Sequence, residues 1–306
     1  MTEDQFLAAL RTLPLHPGAH GLGDDTATLG GHVVTTDTLV EGVHFLSSDA
    51  PADVAWKLVA TNLSDLAAKG AVPAGILLNY PLGNDDWDAA FLEGLRAVLA
   101  AFDTPLLGGD TVTLPPRAPR ILTVTAFGSD AAAPPRSGAR AGDALWVTGT
   151  IGDGGAGLAI AQRLAGDPAG LVIALGATGP AELLAAYRRP QPRLAEGRAI
   201  ARHAHAMMDV SDGLLIDTQR MAAASSLSVT INLDQIPLSP ACRAFSDDIL
   251  AAATAGDDYE LLFAAPADGD FPASRIGGFA PGGGLTLTRN GAPVPLPARL
   301  GYAHAR

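Results

Sequence analysis

Apolar positions recur along this chain at two periods, one suited to strands and one to helices. Residues 2–13 predict a short amphipathic helix. His32 to Leu39 (HVVTTDTL) is rich in β-branched residues and predicts a strand. Pro51 opens a strongly apolar helix through Trp56, Leu58, Val59, Leu63 and Leu66 that stops near Gly70. Residues 74–80 predict a strand, Asp85 to Phe102 a second helix, and Leu106 to Val112 and Ile121 to Phe127 two more strands.

Residues 129–143 (SDAAAPPRSGARAGD) break this pattern and read as a linker, with a boundary near 138 between domains 1–138 and 139–306. Beyond it the pattern predicts a strand at Ala144 to Thr148, a Gly-rich turn and a helix. Helices are expected at Arg198 to Ala206 and Gly213 to Ala224, with Met207 to Val210 extended between them. Further strands are expected at 228–233, 260–264 and 285–289, and LVIALG (171–176) is one more candidate. Strands and helices mixed in both halves predict an α/β or α+β architecture of mixed sheets flanked by helices.

The 306 residues are 48% hydrophobic and 17% charged, enough to bury a substantial core. The 35 glycines and 23 prolines follow no Gly-X-Y period, so they mark turns and not a collagen helix. Against 32 acidic residues stand 20 basic ones, a net charge of −12 that repels nucleic acid and anionic lipid. Cys242 is the single cysteine, which excludes an internal disulfide and a multi-cysteine metal site. The acidic start MTEDQFLAAL does not read as a signal peptide, and no run of 18 uncharged apolar residues occurs. The expectation is a soluble cytoplasmic protein with neither a nucleic-acid nor a membrane partner.

The informative feature is where the aspartates fall. Asp37 interrupts the strand-like VVTTDTLV, and Asp65 lies in the apolar helix beside Asn62 and Ser64. Asp110 follows Gly108 and Gly109, while Asp209, Ser211 and Asp212 stand between MM and GLLI. Asp24 and Asp25 sit in a glycine turn. Any one of them could be a helix cap or a turn residue, and Asp209 or Asp212 fits that reading well. Asp65 in mid-helix does not. A carboxylate in an apolar segment costs several kcal/mol unless paired or bound to metal. Two carboxylates about 4 Å apart repel by roughly 4 kcal/mol at an effective dielectric near 20. Bound hard cations such as Mg²⁺ resolve that repulsion with oxygen ligands alone. Such ions also bridge carboxylates to a polyphosphate, and Gly-rich turns add N–H donors for the same oxygens. The pattern thus points to nucleotide-dependent phosphoryl chemistry.

Other motifs point elsewhere or nowhere. Gly152-Asp-Gly154-Gly155-Ala-Gly157 matches the dinucleotide fingerprint G-x-G-x-x-G between a strand and a helix, but the acidic residue expected about 20 positions on is missing. There is no P-loop, no protein-kinase set, no H-E-x-x-H and no G-x-S-x-G. Asp209-Val-Ser211-Asp212-Gly213 fails as a calcium loop because its glycine comes fifth. His203 and His205 read as an exposed helix pair, and Cys242 as inert.

Taken together, GLGDDTA (21–27), TTDTLVEGVHF (35–45), NLSDLAAKGAVP (62–73), GGDT (108–111), RSGARAGD (136–143), VTGT and GD (147–153), DVSDGL (209–214) and GDDYEL (256–261) resemble the thiamine-monophosphate kinase family. That family belongs to the superfamily that also holds aminoimidazole ribonucleotide synthetase. The resemblance spans most of the chain in order. It implies the two-domain aminoimidazole ribonucleotide synthetase-like fold, a homodimer, and transfer of the ATP γ-phosphoryl group to thiamine monophosphate with several Mg²⁺ ions. It places Asp25, Thr35, Thr36, Asp37, Asp65, Asp110, Asp209 and Asp212 at the metals, with Asp65, Asp110, Asp209 and Asp212 in the chemistry. Gly109, Asp110, Arg136 and Ser211 would contact ATP, and His44, Asp257 and Tyr302 the thiamine monophosphate.

This chain reads Ala255-Gly256-Asp257-Asp258 where the family has Gly-Gly-Glu-Asp, and it ends on GYAHAR. It lacks the N-terminal reactive cysteine of selenophosphate synthetase, the C-terminal cysteine of the hydrogenase-maturation relative and the D-G-V-G-T-K motif of aminoimidazole ribonucleotide synthetase. A sibling ATP-dependent enzyme, a non-catalytic nucleotide-binding protein and a dinucleotide-dependent oxidoreductase stay open as alternatives at this point.

Overall fold

A capping box starts the first helix, α1 (Glu3–Leu10): the Thr2 hydroxyl accepts the Gln5 N–H, and the Gln5 side chain accepts the Thr2 N–H. The computed structural model describes residues 2–166 and 178–303. The first half comprises β1 (Ala27–Leu29), β2 (His32–Val40), α2 (Pro51–Ala68), β3 (Val72–Leu82), α3 (Asp85–Ala101), β4 (Leu106–Thr113) and β5 (Ile121–Ser129). Its five strands are ordered β1-β2-β5-β3-β4, antiparallel except for the parallel pair β3/β4. Along β2, Val33, Thr35 and Leu39 are buried while Thr36 and Thr38 are exposed, so one face meets α2 and the other is open.

The second half comprises β6 (Ala144–Val147), α4 (Asp153–Gly166), α5 (Thr178–Arg188), α6 (Leu194–Ile200), β7 (Ala206–Asp209), α7 (Leu214–Ala224), β8 (Leu227–Asn232), α8 (Pro240–Phe245), α9 (Ile249–Thr254), β9 (Leu261–Ala265), β10 (Ser274–Pro281), β11 (Gly284–Arg289) and β12 (Ala292–Val294). The seven strands are ordered β12-β11-β8-β10-β6-β9-β7, again mixed, with β8/β11 parallel. Strands β6, β7 and β9 are buried throughout because both of their faces are covered. One face packs on the core that includes Ile160, Leu184, Leu215 and Met221. On the other, Trp146, Met207, Leu261 and Phe263 pack with Ala67 and Ala68 of α2. Helix α2 therefore lies between the two sheets, and every residue from Lys57 to Ala68 is buried.

The structure alters one expectation and adds two features that the sequence pattern does not show. The helix expected over Arg198 to Ala206 ends at Ile200, because His205 already donates its N–H to Ala264 O (2.8 Å) where β7 joins the sheet. Strand β10, in the middle of the second sheet, is not legible in SRIGGFAP. A Cβ at Gly277 would stand 2.0 Å from Thr230 O, so the strand needs the very residues that disguise it. The linker is not loose. Ala133 N–H donates to Lys69 O (2.9 Å), Met207 N–H to Pro135 O (3.3 Å), and Lys69 Nζ to Pro134 O (3.1 Å), tying the segment to both halves. The strand candidate at 171–176 lies outside the described residues. Among the described residues no helix is long and apolar enough to cross a membrane.

The α2–α3 crossing has no spare room, since a Cβ at Gly94 would stand 2.2 Å from Ala52 O. Gly94→Ala is expected to destabilise the fold by about 1–3 kcal/mol. The urea midpoint should fall while the slope of the transition stays unchanged.

Candidate active site

A cleft of about 510 Å³ opens where the two halves meet, lined by Asp25, Asp37, His44 and Asp65 from the first and by Asp209, Ser211, Asp212, Asp257 and Tyr302 from the second. Its floor is α2. Buried polar groups there are held by partners on α2 itself and on other elements. Asn62 Oδ1 accepts the Asp37 N–H (3.0 Å), and Asn62 Nδ2 donates to Leu58 O (2.9 Å). Ser64 Oγ donates to Asp209 Oδ2 (2.7 Å), and Thr35 Oγ1 to Asp65 Oδ2 (2.5 Å). Asp209 therefore does not serve as a helix cap. Its partner is a hydroxyl on the other half of the chain.

Asp25, Asp65 and Asp209 each bring one carboxylate oxygen to within 4.8 Å of the other two. Burial, and then the neighbouring carboxylates, push Asp65 and Asp209 well above the usual carboxylate range. Burial with Asp25 and Asp212 nearby pushes Asp37 up to about 6. Asp25 Oδ2 is buried without a hydrogen-bond partner, and Lys69 Nζ lies 3.8 Å from it. Arg136 pairs with Asp25 Oδ1, and Lys69 Nζ with Asp24 Oδ1 (2.5 Å). Converging oxygens, an orphaned carboxylate oxygen and raised pKa values fit a hard divalent cation.

Thr36 and Asp110 stand apart from this cluster. The Thr36 hydroxyl is on the open face, donating to Val124 O and accepting from Thr125 Oγ1 (3.1 Å each). Asp110 is exposed on the edge strand β4. It pairs in register with Asn79, Asn79 with Thr123 and Thr123 with Thr38, which puts it on the open face as well. Three strand spacings, about 14 Å, separate β4 from β2. Gly109 shares that edge.

Sequence reasoning does not single out Lys57, Asp217, Arg220 or Tyr259. Asp217 is fully buried on α7, where its carboxylate accepts the N–H groups of Asp212 (3.1 Å) and Gly213 (3.2 Å). Burial pushes it up to about 7. Arg220 bridges Asp212 (2.5 Å) and Asp217 (2.9 Å). The signal for Asp217 was an aspartate inside LLIDTQRM, the same anomaly that exposed Asp65. His205 faces Asp143 (2.9 Å) and is not one of an exposed helix pair. At the glycine fingerprint, Gly152 and Gly154 N–H groups donate to Asp258 Oδ1 (2.9 and 3.4 Å). A carboxylate of the chain itself thus fills the helix start where a pyrophosphate would bind.

Residues 23–129 match the family model described as AIR synthase related protein, N-terminal domain, and residues 140–290 match that of the C-terminal domain. The thiamine-monophosphate kinase of Caulobacter vibrioides is 39% identical, over 94% of this chain and 86% of its own length. That of Escherichia coli K12 is 38% identical, over 93% and 91%. The chain belongs to the thiamine-monophosphate kinase family. Its fold agrees with the family's solved structures. AaThiL complexed with AMPPCP and TMP superposes with a TM-score of 0.86 at 27% identity, covering 99% of this chain and 97% of that one. The thiamine-monophosphate kinase from Stenotrophomonas maltophilia K279a gives 0.76 at 37% identity, covering 95% and 96%. The hydrogenase maturation protein HypE, at 17% identity and a TM-score of 0.69, shares the fold alone.

The raised carboxylates set a pH dependence. Each has a folded-state pKa above the unfolded value of 3.8, so the folded form holds the extra proton. The stability they contribute is complete below pH 3.8 and is lost as pH rises through about 6 for Asp37 and about 7 for Asp217. Metal-free protein is expected to lose thermal stability between about pH 5 and pH 8, and Mg²⁺ should raise Tm more at the upper end. Calorimetric scans with EDTA and with Mg²⁺ at both pH values check this, and a Mg²⁺ increment that shrinks with pH would contradict it.

Proposed function

We propose that this chain transfers the γ-phosphoryl group of ATP to thiamine monophosphate, giving thiamine diphosphate and ADP, by direct in-line attack. The observation that carries the proposal is the convergence of Asp25, Asp65 and Asp209 in a cleft shared by both halves. Its support is the chain's 38–39% identity to curated thiamine-monophosphate kinases. AMPPCP is an ATP analogue and TMP is thiamine monophosphate, so the structural relative holds a stand-in for one proposed substrate and the other itself.

Asp25, Asp65 and Asp209 would hold Mg²⁺, with Asp37 and Asp212 lining the same cleft. Bound there, Mg²⁺ neutralises phosphate charge and aligns phosphate oxygens. Thr35 and Ser64 orient Asp65 and Asp209 by donating to one oxygen of each, which leaves the other oxygen of each for a metal ion. Arg136, tied to Asp25, and the Ser211 hydroxyl supply donors for ATP. His44, Asp257 and Tyr302 line the part of the cleft assigned to thiamine monophosphate. The acceptor phosphate is mostly a dianion at neutral pH, so the attack needs no general base. No covalent enzyme intermediate forms. Cys242 is buried on α8 with its thiol pushed up to about 11, and it does not line the cleft.

The enzyme acts as a homodimer in the cytoplasm, with its two domains meeting near residue 138. The open face of the first sheet is the contact surface, presenting Leu77 and Ile121 exposed beside threonines at 36, 38, 123 and 125. An uncovered edge strand such as β4 needs a partner or a cover. Asp110 lies on that surface, on the far side of the sheet from Asp65, and so serves the site of the second copy, with Gly109 beside it on the edge strand.

Asp65→Asn and Asp209→Asn are each expected to lower kcat at least about a hundredfold with the circular dichroism spectrum unchanged. Chromatographic detection of thiamine diphosphate formed from ATP, Mg²⁺ and thiamine monophosphate, with an EDTA control, reads this out. Formation of ADP without thiamine diphosphate would refute the acceptor. For the shared site, Asp110→Asn and Asp65→Asn chains carrying different tags are co-expressed and the mixed dimer is isolated. One of its two sites is complete, so about half of wild-type activity should return. An inactive mixed dimer would place Asp110 in its own chain's site.

A further inference from the structure

Beneath the substrate side of the cleft lies a buried lysine that the phosphoryl chemistry does not use. Lys57, 2% exposed on α2, donates to His44 O (3.1 Å) and to Asp257 Oδ2 (2.8 Å), and its ammonium sits 4.1 Å from the centre of the Tyr187 ring. His44 belongs to the first half of the chain and Asp257 to the second. The two segments that carry the proposed contacts to thiamine monophosphate are therefore joined through one ammonium group. The Tyr259 hydroxyl donates to Asp257 Oδ1 (2.9 Å), so both carboxylate oxygens are oriented and about two of their four lone-pair positions are left for a ligand. The Asp257 side chain is 26% exposed, which lets it face the cleft while Lys57 stays dry. A lysine this deep persists only where an anion and hydrogen-bond acceptors compensate its desolvation.

We infer that Lys57 is a positioning residue for the acceptor substrate, setting Asp257 and the His44 segment at a fixed separation across the domain junction. This rests on the reading of the cleft as a thiamine-monophosphate site. It accounts for the Asp in place of the family's Glu. The shorter carboxylate is aimed by Lys57 and Tyr259 and not by its own length.

Steady-state kinetics of wild type, Lys57→Met, Asp257→Asn and the double variant test it, with thermal melts of each. Lys57→Met is expected to raise KM for thiamine monophosphate about tenfold or more, with KM for ATP and kcat within about threefold. In the Asp257→Asn background, Lys57→Met should add less than about a twofold change, because the lysine acts through that carboxylate. Tyr259→Phe, which loses only a hydroxyl, should raise the same KM selectively and serves if Lys57→Met does not fold. Parallel rises in both KM values, or effects that multiply in the double variant, overturn the inference. If wild type consumes ATP without phosphorylating thiamine monophosphate, the functional reading fails and takes this inference with it. Wild-type turnover with an unaffected KM in Lys57→Met and Tyr259→Phe removes the inference alone.

Discussion

Bringing like charges together against a helix that both sheets bury is the constraint from which the rest of the structure follows. Helix α2 has no solvent face from Lys57 to Ala68, yet Asp65 stands in that stretch, facing Asp25 and Asp209. Hydroxyls can orient such carboxylates, as Thr35 and Ser64 do, but they carry no charge to offset the repulsion. Arg136 and Lys69 offset only the Asp25 end of the cluster, so further positive charge beside Asp65 and Asp209 has to come from outside the chain or from protons, and the raised pKa values of Asp37, Asp65 and Asp209 express the proton alternative. A site built this way repels bare polyphosphate and accepts it together with hard cations. That preference is a property of the buried helix before any substrate is considered.

The chain's two lysines sit toward the two ends of the same helix, twelve residues or about 18 Å apart. Each ties the first half to the second. Lys69 Nζ reaches Asp24, Pro134 O and Met207 O, and Lys57 reaches His44 O and Asp257. Between them, Ser64 bonds Asp209 across the same junction. The domain interface and the site are thus one set of contacts. Relative movement of the halves would pull apart the carboxylate cluster, so the site's geometry is held by interdomain contacts and not by one rigid domain alone.

Much of this was legible in the sequence because a polar residue that breaks an apolar pattern is conspicuous. Asp65 inside NLSDLAA and Asp209 inside MMDVSD gave the cluster, and the structure joins them to Asp25. What periodicity cannot supply is register. Thr35 and Thr36 are adjacent in sequence but face opposite sides of the sheet, and only strand pairing shows that Asp110 shares the side of Thr36. Strand β10 escaped because close approach to β8 demands glycines, and α8 and α9, six residues each, are too short to show a helical period. Lys57 escaped for the opposite reason. A lysine at a helix position reads as solvent-facing until the second sheet is known to cover it.

The segment Asp257–Glu260 shows how a run of polar residues serves site and fold together. Asp257 (φ 66°) and Tyr259 (φ 52°) adopt left-handed backbone, a conformation that costs such residues roughly 1–2 kcal/mol each. The reversals send successive side chains to different partners. Asp257 meets Lys57, Asp258 the N–H groups that open α4, Tyr259 returns to Asp257, and Glu260 joins Thr148 and Arg193. An extended strand would alternate these side chains between two faces and could not deliver four separate destinations. Asp258 and Glu260 bond to the fold around them, which leaves Asp257, oriented by Lys57 and Tyr259, as the carboxylate that lines the cleft.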